Sequence, residues 1–187
     1  MQDGYSNNPH KRTLRCKSCV IMDSMSASKI LTYPHASLRK KAELWQFFAP
    51  VELEEHAVLM HDTLLGSTRG AALAAPQIGV SFRIICFNDE LAEQDGVKIP
   101  RFAVNPEIVS SGSKTQTINE GCLSFPGIRA PVSRPDDVTV SWQDLEGASH
   151  RADFSGFWAH CWQHEIDHLD GVLFIDRMDR KTKYRIK

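Results

Sequence analysis

The stretch Gln163-His164-Glu165-Ile166-Asp167-His168, near the C-terminal end of the chain, determines how the rest of the sequence is interpreted. His164 and His168 are four residues apart, so on an α-helix they lie on one face and can direct two imidazoles at one cation. Glu165 follows the first histidine, where its carboxylate can act on a water beside that cation, as in the H-E-x-x-H pattern. The stretch therefore predicts a metal-binding helix.

The residues before this stretch extend the helical pattern. Apolar and imidazole side chains recur at helical spacing, which places the histidines on the inward-facing stripe of the helix: Phe157, His160, Cys161, His164 and His168. Buried histidines need partners, and a cation supplies one. The alternative is that two histidines and a glutamate meet by chance, as they do in many helices.

A catalytic metal site typically has three protein ligands and one position open to water. The 19 residues after His168 contain no His or Glu, so the third ligand must come from upstream. Cys122 is the best candidate, because a thiolate is a strong ligand for zinc or ferrous iron. A lone cysteine can also be an inert buried residue. Because the two histidines need a third ligand, the ligand role is favoured for Cys122.

Composition and length indicate an ordinary globular protein: 187 residues, 42% of them apolar and 24% charged, most simply form one domain. Residues 1–25 are polar and without a sustained period, so they are predicted to be a disordered leader before a single catalytic domain of residues 26–187. Cys16 and Cys19 form a C-x-x-C without a second pair and are interpreted as exposed thiols. Five cysteines, an odd number, argue against a secreted disulfide framework.

The charge is close to balanced overall, at −1, but residues 176–187 carry six basic and two acidic side chains. This segment could contact an anionic partner such as RNA, the alternative being a solvated terminus. The sequence contains neither an apolar run long enough to span a membrane nor a signal peptide. A cytoplasmic location without membrane contact is therefore predicted. Organellar import is a weaker alternative, because Asp3 and Asp23 interrupt the basic leader.

Helical spacing of apolar residues predicts a helix that ends at Gly66: Leu53, Ala57, Met60 and Leu64. Strands are predicted at residues 82–87, at residues 102–105, and where Val138, Val140 and Trp142 alternate with polar residues. Strands flanked by helices favour an α+β fold, with short antiparallel strands packed around the central metal-binding helix.

Residues 69–79 are rich in small side chains and are expected to form a loop that allows close approach of its backbone to a ligand. Gln77 is the residue in this loop whose side chain has useful chemistry, since its amide could stabilise an oxyanion beside the metal. The alternative is a tightly packed turn.

Three segments, in this order, together resemble the peptide deformylase family. The segment from Gly70 to Gln77 matches the family's G-x-G-x-A-A-x-Q motif except at Ala72, where the family has glycine. Residues 120–124 match E-G-C-L-S, and residues 163–168 match Q-H-E-x-D-H. The resemblance covers residues 27–178 and is type 1-like. The short segment after Gly171 resembles the shortened forms of some phages and organelles.

The resemblance implies removal of the N-formyl group from the N-terminal methionine of newly made polypeptides. It implies that Cys122, His164 and His168 hold one divalent metal, Fe2+ in the cell and often Zn2+, Ni2+ or Co2+ as isolated. Glu165 would move the proton of a metal-activated water. Gln77 and the backbone N–H of Leu123 would stabilise the oxyanion.

The resemblance and the helical pattern also imply a substrate-binding set: Gly70, Ala71, Ala72, Glu120, Gly121, Arg129, Phe157, His160 and Cys161. A charge pair between Glu120 and Arg129 is expected beside the site, with Asp167 either near it or at the surface. His160 would make the methionine pocket more polar than an apolar side chain requires, and the methyl of Ala72 is expected to alter substrate approach.

Three functions remain in competition at this point. The first is a deformylase acting on N-formylmethionyl nascent peptides, with transient ribosome contact through the basic C-terminal segment. The second is an H-E-x-x-H metallopeptidase, which would need a third ligand other than Cys122. The third is a catalytically silent binding module with the same fold, against which the presence of Glu165 and Gln77 argues. The sequence does not indicate an oligomeric state.

Overall fold

The computed structural model describes residues 27–67, 70–94, 96–179 and residue 183. The predicted leader, residues 1–25, lies outside these ranges, together with Cys16 and Cys19. Of the basic C-terminal segment, only residues 176–179 and Lys183 lie within them. The predictions for these segments therefore stay predictions.

The described part of the chain contains seven strands and four α-helices, with two short 3-10 helices at Ala36–Arg39 and Ala75–Ile78. The strands are β1 Ala72–Ala74, β2 Ile84–Phe87, β3 Phe102–Ser111, β4 Thr115–Gly121, β5 Arg129–Pro135, β6 Asp137–Gln143 and β7 Ser149–Ser155. The helices are α1 Pro50–Gly66, α2 Asp89–Gln94, α3 Gly156–Leu169 and α4 Phe174–Arg177.

Two antiparallel sheets frame the molecule. Five strands form one sheet in the order β1-β2-β3-β6-β7, and β4 pairs with β5 in a separate two-stranded hairpin. Neighbouring strands are joined in antiparallel register throughout the described residues, without the parallel crossovers of a βαβ unit. The α+β prediction is confirmed.

Helix α1 forms where it was predicted, from Pro50 to Gly66. Its four predicted apolar residues are buried and pack on one face of the large sheet, against side chains such as Leu73 and Ile84. The opposite face of the same strands, including Ala74 and Ile85, packs against α3. Because β1 and β2 are covered on both faces, every residue in them is buried and apolar.

Helix α3 runs through the middle of the molecule, between the large sheet and the hairpin. His160, Cys161, His164 and His168 are buried as predicted, but so is every other residue from Trp158 to Leu169, and the solvated stripe expected on the opposite side of the helix is absent from this stretch. Phe157, predicted on the inward stripe, is 47% exposed. A helix that is buried on all sides belongs to the protein core, and here some of the side chains packed around it are polar.

The chain reverses direction immediately after α3. Gly171 has a φ of 71°, in the left-handed region that glycine tolerates best. A Cβ at this position would lie 2.6 Å from the carbonyl oxygen of Arg39, so no larger side chain fits. The turn directs α4 back along the hairpin, where Phe174 packs with Ala130 and Val132 of β5.

The strand predictions were confirmed for β6, in which Val138, Val140 and Trp142 are the buried alternate residues, and in part for β2 and β3. Strands β4, β5 and β7 were not predicted. The segment expected to be a small-residue loop forms β1 and a 3-10 helix. Among the described residues, no helix is both long and apolar enough to cross a bilayer.

Candidate metal centre

Cys122, His164 and His168 come together although they are up to 46 residues apart in sequence. Cys122 follows the last residue of β4, and the two histidines lie one helical turn apart on α3. The ligand atoms that they offer lie within 4.8 Å of one another, and Cys122 Sγ is 3.2 Å from His168 Nε2. One thiolate and two imidazoles in such a cluster fit a single divalent cation.

Glu120 orients the imidazole of His164. The two side chains are joined by a hydrogen bond of 2.9 Å between His164 Nδ1 and Glu120 Oε2. Because an ionised carboxylate can only accept, Nδ1 carries a proton, which leaves Nε2 as the atom that a cation would bind. Burial lowers the pKa of His168 well below its ordinary value, so this imidazole is neutral and able to bind a metal.

Glu165 is buried beside the cluster, and its Oε2 has no hydrogen-bond partner in the described part of the chain. Burial raises the pKa of Glu165 to about 7, because the charged form loses its hydration. A carboxyl group whose pKa lies near neutrality can both accept and return a proton at physiological pH. These are the properties required of a general acid/base.

The side-chain amide of Gln77 is held in place by its oxygen, and its nitrogen points towards the Cys122-His164-His168 cluster. Its Oε1 accepts a hydrogen bond of 2.8 Å from the backbone N–H of Ala74. Its Nε2 consequently points towards Cys122 Sγ, at 3.7 Å, and donates to Ser124 Oγ at 3.2 Å. A positioned N–H donor at this place can stabilise negative charge on a substrate oxygen.

A cavity of about 610 Å³ opens onto the cluster. It is lined by every predicted site residue except His168: Gly70, Ala71, Ala72, Gln77, Glu120, Gly121, Cys122, Leu123, Arg129, Phe157, His160, Cys161, His164 and Glu165. Sequence reasoning missed its apolar lining, which includes Leu91, Ile118, Phe125 and Ile128. These residues belong to three separate segments, α2, β4 and the loop between β4 and β5, so no local pattern could have grouped them.

Two small residues, Gly70 and Ala72, line one wall of the cavity, where the backbone lies close to the cavity. A Cβ at Gly70 would lie 2.6 Å from Leu64 Cδ1 and from Ser67 Oγ, so a larger residue would need these two side-chain ends to shift. Ala72, where the family has its second glycine, is 7% exposed and lines the cavity. Its effect on substrate approach stays a prediction.

The expected pair between Glu120 and Arg129 does not form. Arg129 is exposed and donates to the backbone carbonyl of Asn119 at 2.9 Å. Glu120 is instead held by Arg134, through contacts of 2.6 and 3.1 Å to its two oxygens. The reason is strand parity: Ala130, Val132 and Arg134 share the buried face of β5, and Arg129 points the other way.

Arg134 also joins Glu120 to Asp167. Its NH1 donates to Asp167 Oδ2 at 2.7 Å, and Asp167 accepts again from Arg177 at 2.6 and 3.1 Å. The surface alternative for Asp167 is therefore wrong, since this residue is buried between two arginines. Burial alone would raise the pKa of Glu120, but hydrogen bonds from His164 and Arg134 outweigh it and lower that pKa to about 2.

His160 and Cys161 complete the polar content of the cavity wall. His160 is 3% exposed, its Nδ1 lies 3.4 Å from Glu120 Oε1, and its Nε2 has no partner among the described residues. Burial raises the pKa of the Cys161 thiol well above its ordinary value, so this cysteine stays protonated and inert.

Known proteins similar to this chain include peptide deformylases of several organisms. The family model described as polypeptide deformylase matches residues 27–184. The chain is 38% identical over 162 residues to a peptide deformylase of Afipia carboxidovorans, covering 87% of this chain and 92% of the relative. It is 42% identical over 153 residues to a peptide deformylase of Desulforudis audaxviator, covering 82% and 94%. A solved peptide deformylase from Legionella pneumophila has a TM-score of 0.76 and 38% identity, covering 86% of this chain and 90% of that one.

Proposed function

The chain belongs to the polypeptide deformylase family, and we propose that Cys122, His164 and His168 hold its metal while Glu165, Gln77 and Leu123 carry the reaction. Members of this family are metal-dependent hydrolases. The chain is a peptide deformylase: it removes the N-formyl group from the N-terminal methionine of newly made polypeptides and releases formate.

The observation that carries the residue assignments is the convergence of the Cys122-His164-His168 cluster, Glu165 and Gln77 at one cavity. The donor set of one thiolate and two imidazoles suits ferrous iron or zinc. We propose Fe2+ as the ion in the cell, replaced by Zn2+, Ni2+ or Co2+ in isolated protein. When bound, the metal supplies Lewis acidity, which lowers the pKa of water and strengthens it as a nucleophile at neutral pH.

Glu165 moves the proton in the proposed reaction. Its carboxylate takes a proton from the attacking water and returns it to the amine that leaves, so that the peptide departs neutral. Burial supports this role, because the resulting pKa of about 7 lets both forms exist near neutrality. General acid/base catalysis of this kind contributes about 10²–10⁴-fold in rate.

Gln77 and Leu123 stabilise the oxygen of the formyl group as it gains negative charge. The Gln77 amide is oriented by Ala74, and Leu123 directly follows Cys122 on the cavity wall. Donors fixed before the reaction are worth about 2.7–4 kcal/mol each in comparable sites. A site that surrounds one carbonyl in this way leaves little room for a larger acyl group.

The methionine side chain is proposed to enter the part of the cavity beside α3, between Phe157, Cys161 and the Ala71-Ala72 segment. Gly70, Gly121 and Arg129 line the same cavity and are proposed to contact the peptide that follows. The metallopeptidase and binding-module alternatives are not favoured, since the chain matches the deformylase family over residues 27–184.

Cellular context follows from the substrate. Formylmethionyl chains are made by ribosomes of bacterial cytoplasm and of organelles, so we propose action in one of those compartments, with the cytoplasm as the first choice. Transient ribosome contact through the basic segment 176–187 is proposed from its charge. Within that segment Arg177 pairs with Asp167, which leaves fewer cations for a partner.

The test is release of formate from formyl-Met-Ala-Ser by protein loaded anaerobically with iron. We expect rapid release, much slower action on acetyl-Met-Ala-Ser, and no cleavage of internal bonds in an unstructured protein. Internal cleavage without formate would establish the metallopeptidase alternative. Metal-replete protein with neither activity would favour the binding module.

A further inference from the structure

Arg177 of α4 is linked to the metal centre by an unbroken line of ion pairs. Nε and NH2 of Arg177 donate to Asp167 at 3.1 and 2.6 Å. Asp167 accepts from Arg134, Arg134 holds both oxygens of Glu120, and Glu120 is hydrogen-bonded to His164. We propose that Arg177 is a positioning residue of the metal centre, which fixes the His164 imidazole through this line. The inference rests on the proposed role of His164 as a ligand.

The balance of charge explains why the outermost arginine is needed. Arg134 lies between two carboxylates, and the three side chains are nearly inaccessible: Arg134 is 4% exposed, Glu120 6% and Asp167 10%. One guanidinium cannot neutralise two carboxylates. Arg177 supplies the second positive charge and binds Asp167 with a two-pronged contact. The line of ion pairs then contains two charges of each sign, with Arg177 at its half-exposed outer end.

Loss of Arg177 would change the position of Arg134. Asp167 would keep its full negative charge with Arg134 as its remaining cation in the line, because an uncompensated buried charge is costly. Asp167 would then compete with Glu120 for the same guanidinium. If the hydrogen bonds from Arg134 to Glu120 weaken, His164 Nδ1 no longer has a fixed acceptor. The ring can then rotate away from the geometry that binds metal.

A second arginine, Arg39 of the 3-10 helix Ala36–Arg39, pairs with a residue of α4 and provides a matched control. Arg39 forms an ion pair with Asp176, the residue before Arg177, and so also anchors α4. The two arginines have similar exposure, 38% for Arg39 and 51% for Arg177. The Arg39 pair has no contact with Asp167, Arg134 or Glu120 in the described structure. Removing Arg39 therefore loosens the helix while the hydrogen bonds that join Arg177 to His164 keep all their partners.

The experiment uses the full chain and three variants, Arg177→Met, Arg177→Lys and Arg39→Met. Zn2+ affinity is measured by competition with a chelator, the Co2+ form is followed by its visible absorption, and kcat and KM are determined with formyl-Met-Ala-Ser. We expect Arg177→Met to weaken Zn2+ binding by about tenfold or more, the scale seen when partners of metal ligands are lost. Its Co2+ bands should shift and kcat should fall while KM changes little.

Arg177→Lys keeps the charge but not the two-pronged contact, so partial recovery of Zn2+ affinity is expected. Arg39→Met should match the unaltered chain in Zn2+ affinity and Co2+ spectrum. Equal metal binding in Arg177→Met and Arg39→Met, whether both normal or both weakened, would overturn the inference. A Cys122→Ala variant measured alongside separates the two claims: if it also bound metal normally, the proposed metal centre itself would be wrong.

Discussion

The two sides of α3 are equally buried but are held by different interactions. On the side of the large sheet the contacts are apolar and involve Trp158, Ala159, Trp162, Ile166 and Leu169. On the side of the hairpin and the Cys122 loop, five polar side chains have specific partners: His160 and His164 at Glu120, Gln163 at Pro135, Asp167 at Arg134 and His168 at Cys122. The same helix thus stabilises the fold through one side and forms the reactive centre with the other.

This contrast has an energetic meaning. Apolar packing is non-directional, so it tolerates changes of shape if volume is kept. A buried polar group is stabilised only when its partner is present, and it costs free energy when the partner is lost. Substitutions on the sheet side should therefore change stability alone, whereas substitutions on the hairpin side should change metal binding or reactivity as well.

The largest effect is expected from Glu165→Gln. The variant keeps the size of the side chain but removes the base, so metal content should stay at the level of the unaltered chain. Turnover of formyl-Met-Ala-Ser should fall by about 10²–10⁴-fold. Near-normal turnover, measured as formate release with metal content determined on the same sample, would mean that another group moves the proton.

Arg134→Met and Ile166→Ala compare the two sides directly. Arg134→Met leaves Glu120 and Asp167 buried without their shared cation and should lower the free energy of unfolding by about 3–5 kcal/mol. Ile166→Ala should cost about 2–5 kcal/mol through the cavity it creates. Only the first should also weaken metal binding per folded molecule. Urea unfolding measures the stability of both variants, and metal analysis measures their metal content. Equal loss of metal in both variants would contradict the proposed difference between the two sides of α3.

The helices and strands on the large-sheet side of α3 could be predicted from the sequence because the patterns that indicate them are local. Apolar spacing identified α1, alternation identified β6, and the helical pattern identified α3. The six residues from Gln163 to His168 also indicated the metal helix, since spacing on a helix fixes which side chains share a face. What spacing did not show was that α3 is covered on every side, because its histidines, glutamine and acids resemble a solvated face.

The interactions on the hairpin side of α3 could be predicted only in part, because strand pairing determines which side chains meet there. Glu120 was identified, but Arg129 was chosen as its partner in place of Arg134. Alternation of Ala130, Val132 and Arg134 on β5 is the signal that could have corrected this, and two prolines in β5, Pro131 and Pro135, concealed the strand. Arg177 had no local signal at all, since its link to Asp167 depends on the turn at Gly171.

The stability of the metal-free protein should depend on pH through Glu165. Its pKa of about 7 lies above the ordinary 4.5, so its contribution to stability is complete below pH 4.5 and is lost as the pH rises through 7. The loss is about 3 kcal/mol for a shift of this size. Glu120 does not titrate in this window, since its pKa is about 2.

The measurement is the free energy of unfolding of metal-free protein at pH 5 and pH 8, with Glu165→Gln as the comparison. The variant lacks the titrating group, so its stability should fall less between the two pH values than that of the unaltered chain. Ile166→Ala, on the sheet side, should show the same fall as the unaltered chain. Parallel profiles for Glu165→Gln and the unaltered chain would contradict the buried, proton-binding state of Glu165.

The smallest effect is expected at the methionine pocket. Norleucine replaces sulfur by methylene at nearly constant volume, so formyl-norleucine-Ala-Ser should react within about a few-fold of the methionine peptide. His160 is the residue that could change this, because its buried Nε2 has no partner in the described residues. Strong rejection of norleucine, relieved in a His160→Leu variant, would show that His160 contacts the thioether.

The most direct test of the metal centre is the metal content of Cys122→Ala, purified anaerobically beside Cys86→Ala. Both thiols are natural cysteines of the described chain, but Cys86 is fully buried in β2, where burial raises its pKa and keeps it protonated. We predict one metal per chain in the unaltered protein and in Cys86→Ala, and a content well below one in Cys122→Ala. Equal metal content in all three proteins would contradict the assignment of Cys122, His164 and His168 as the ligands.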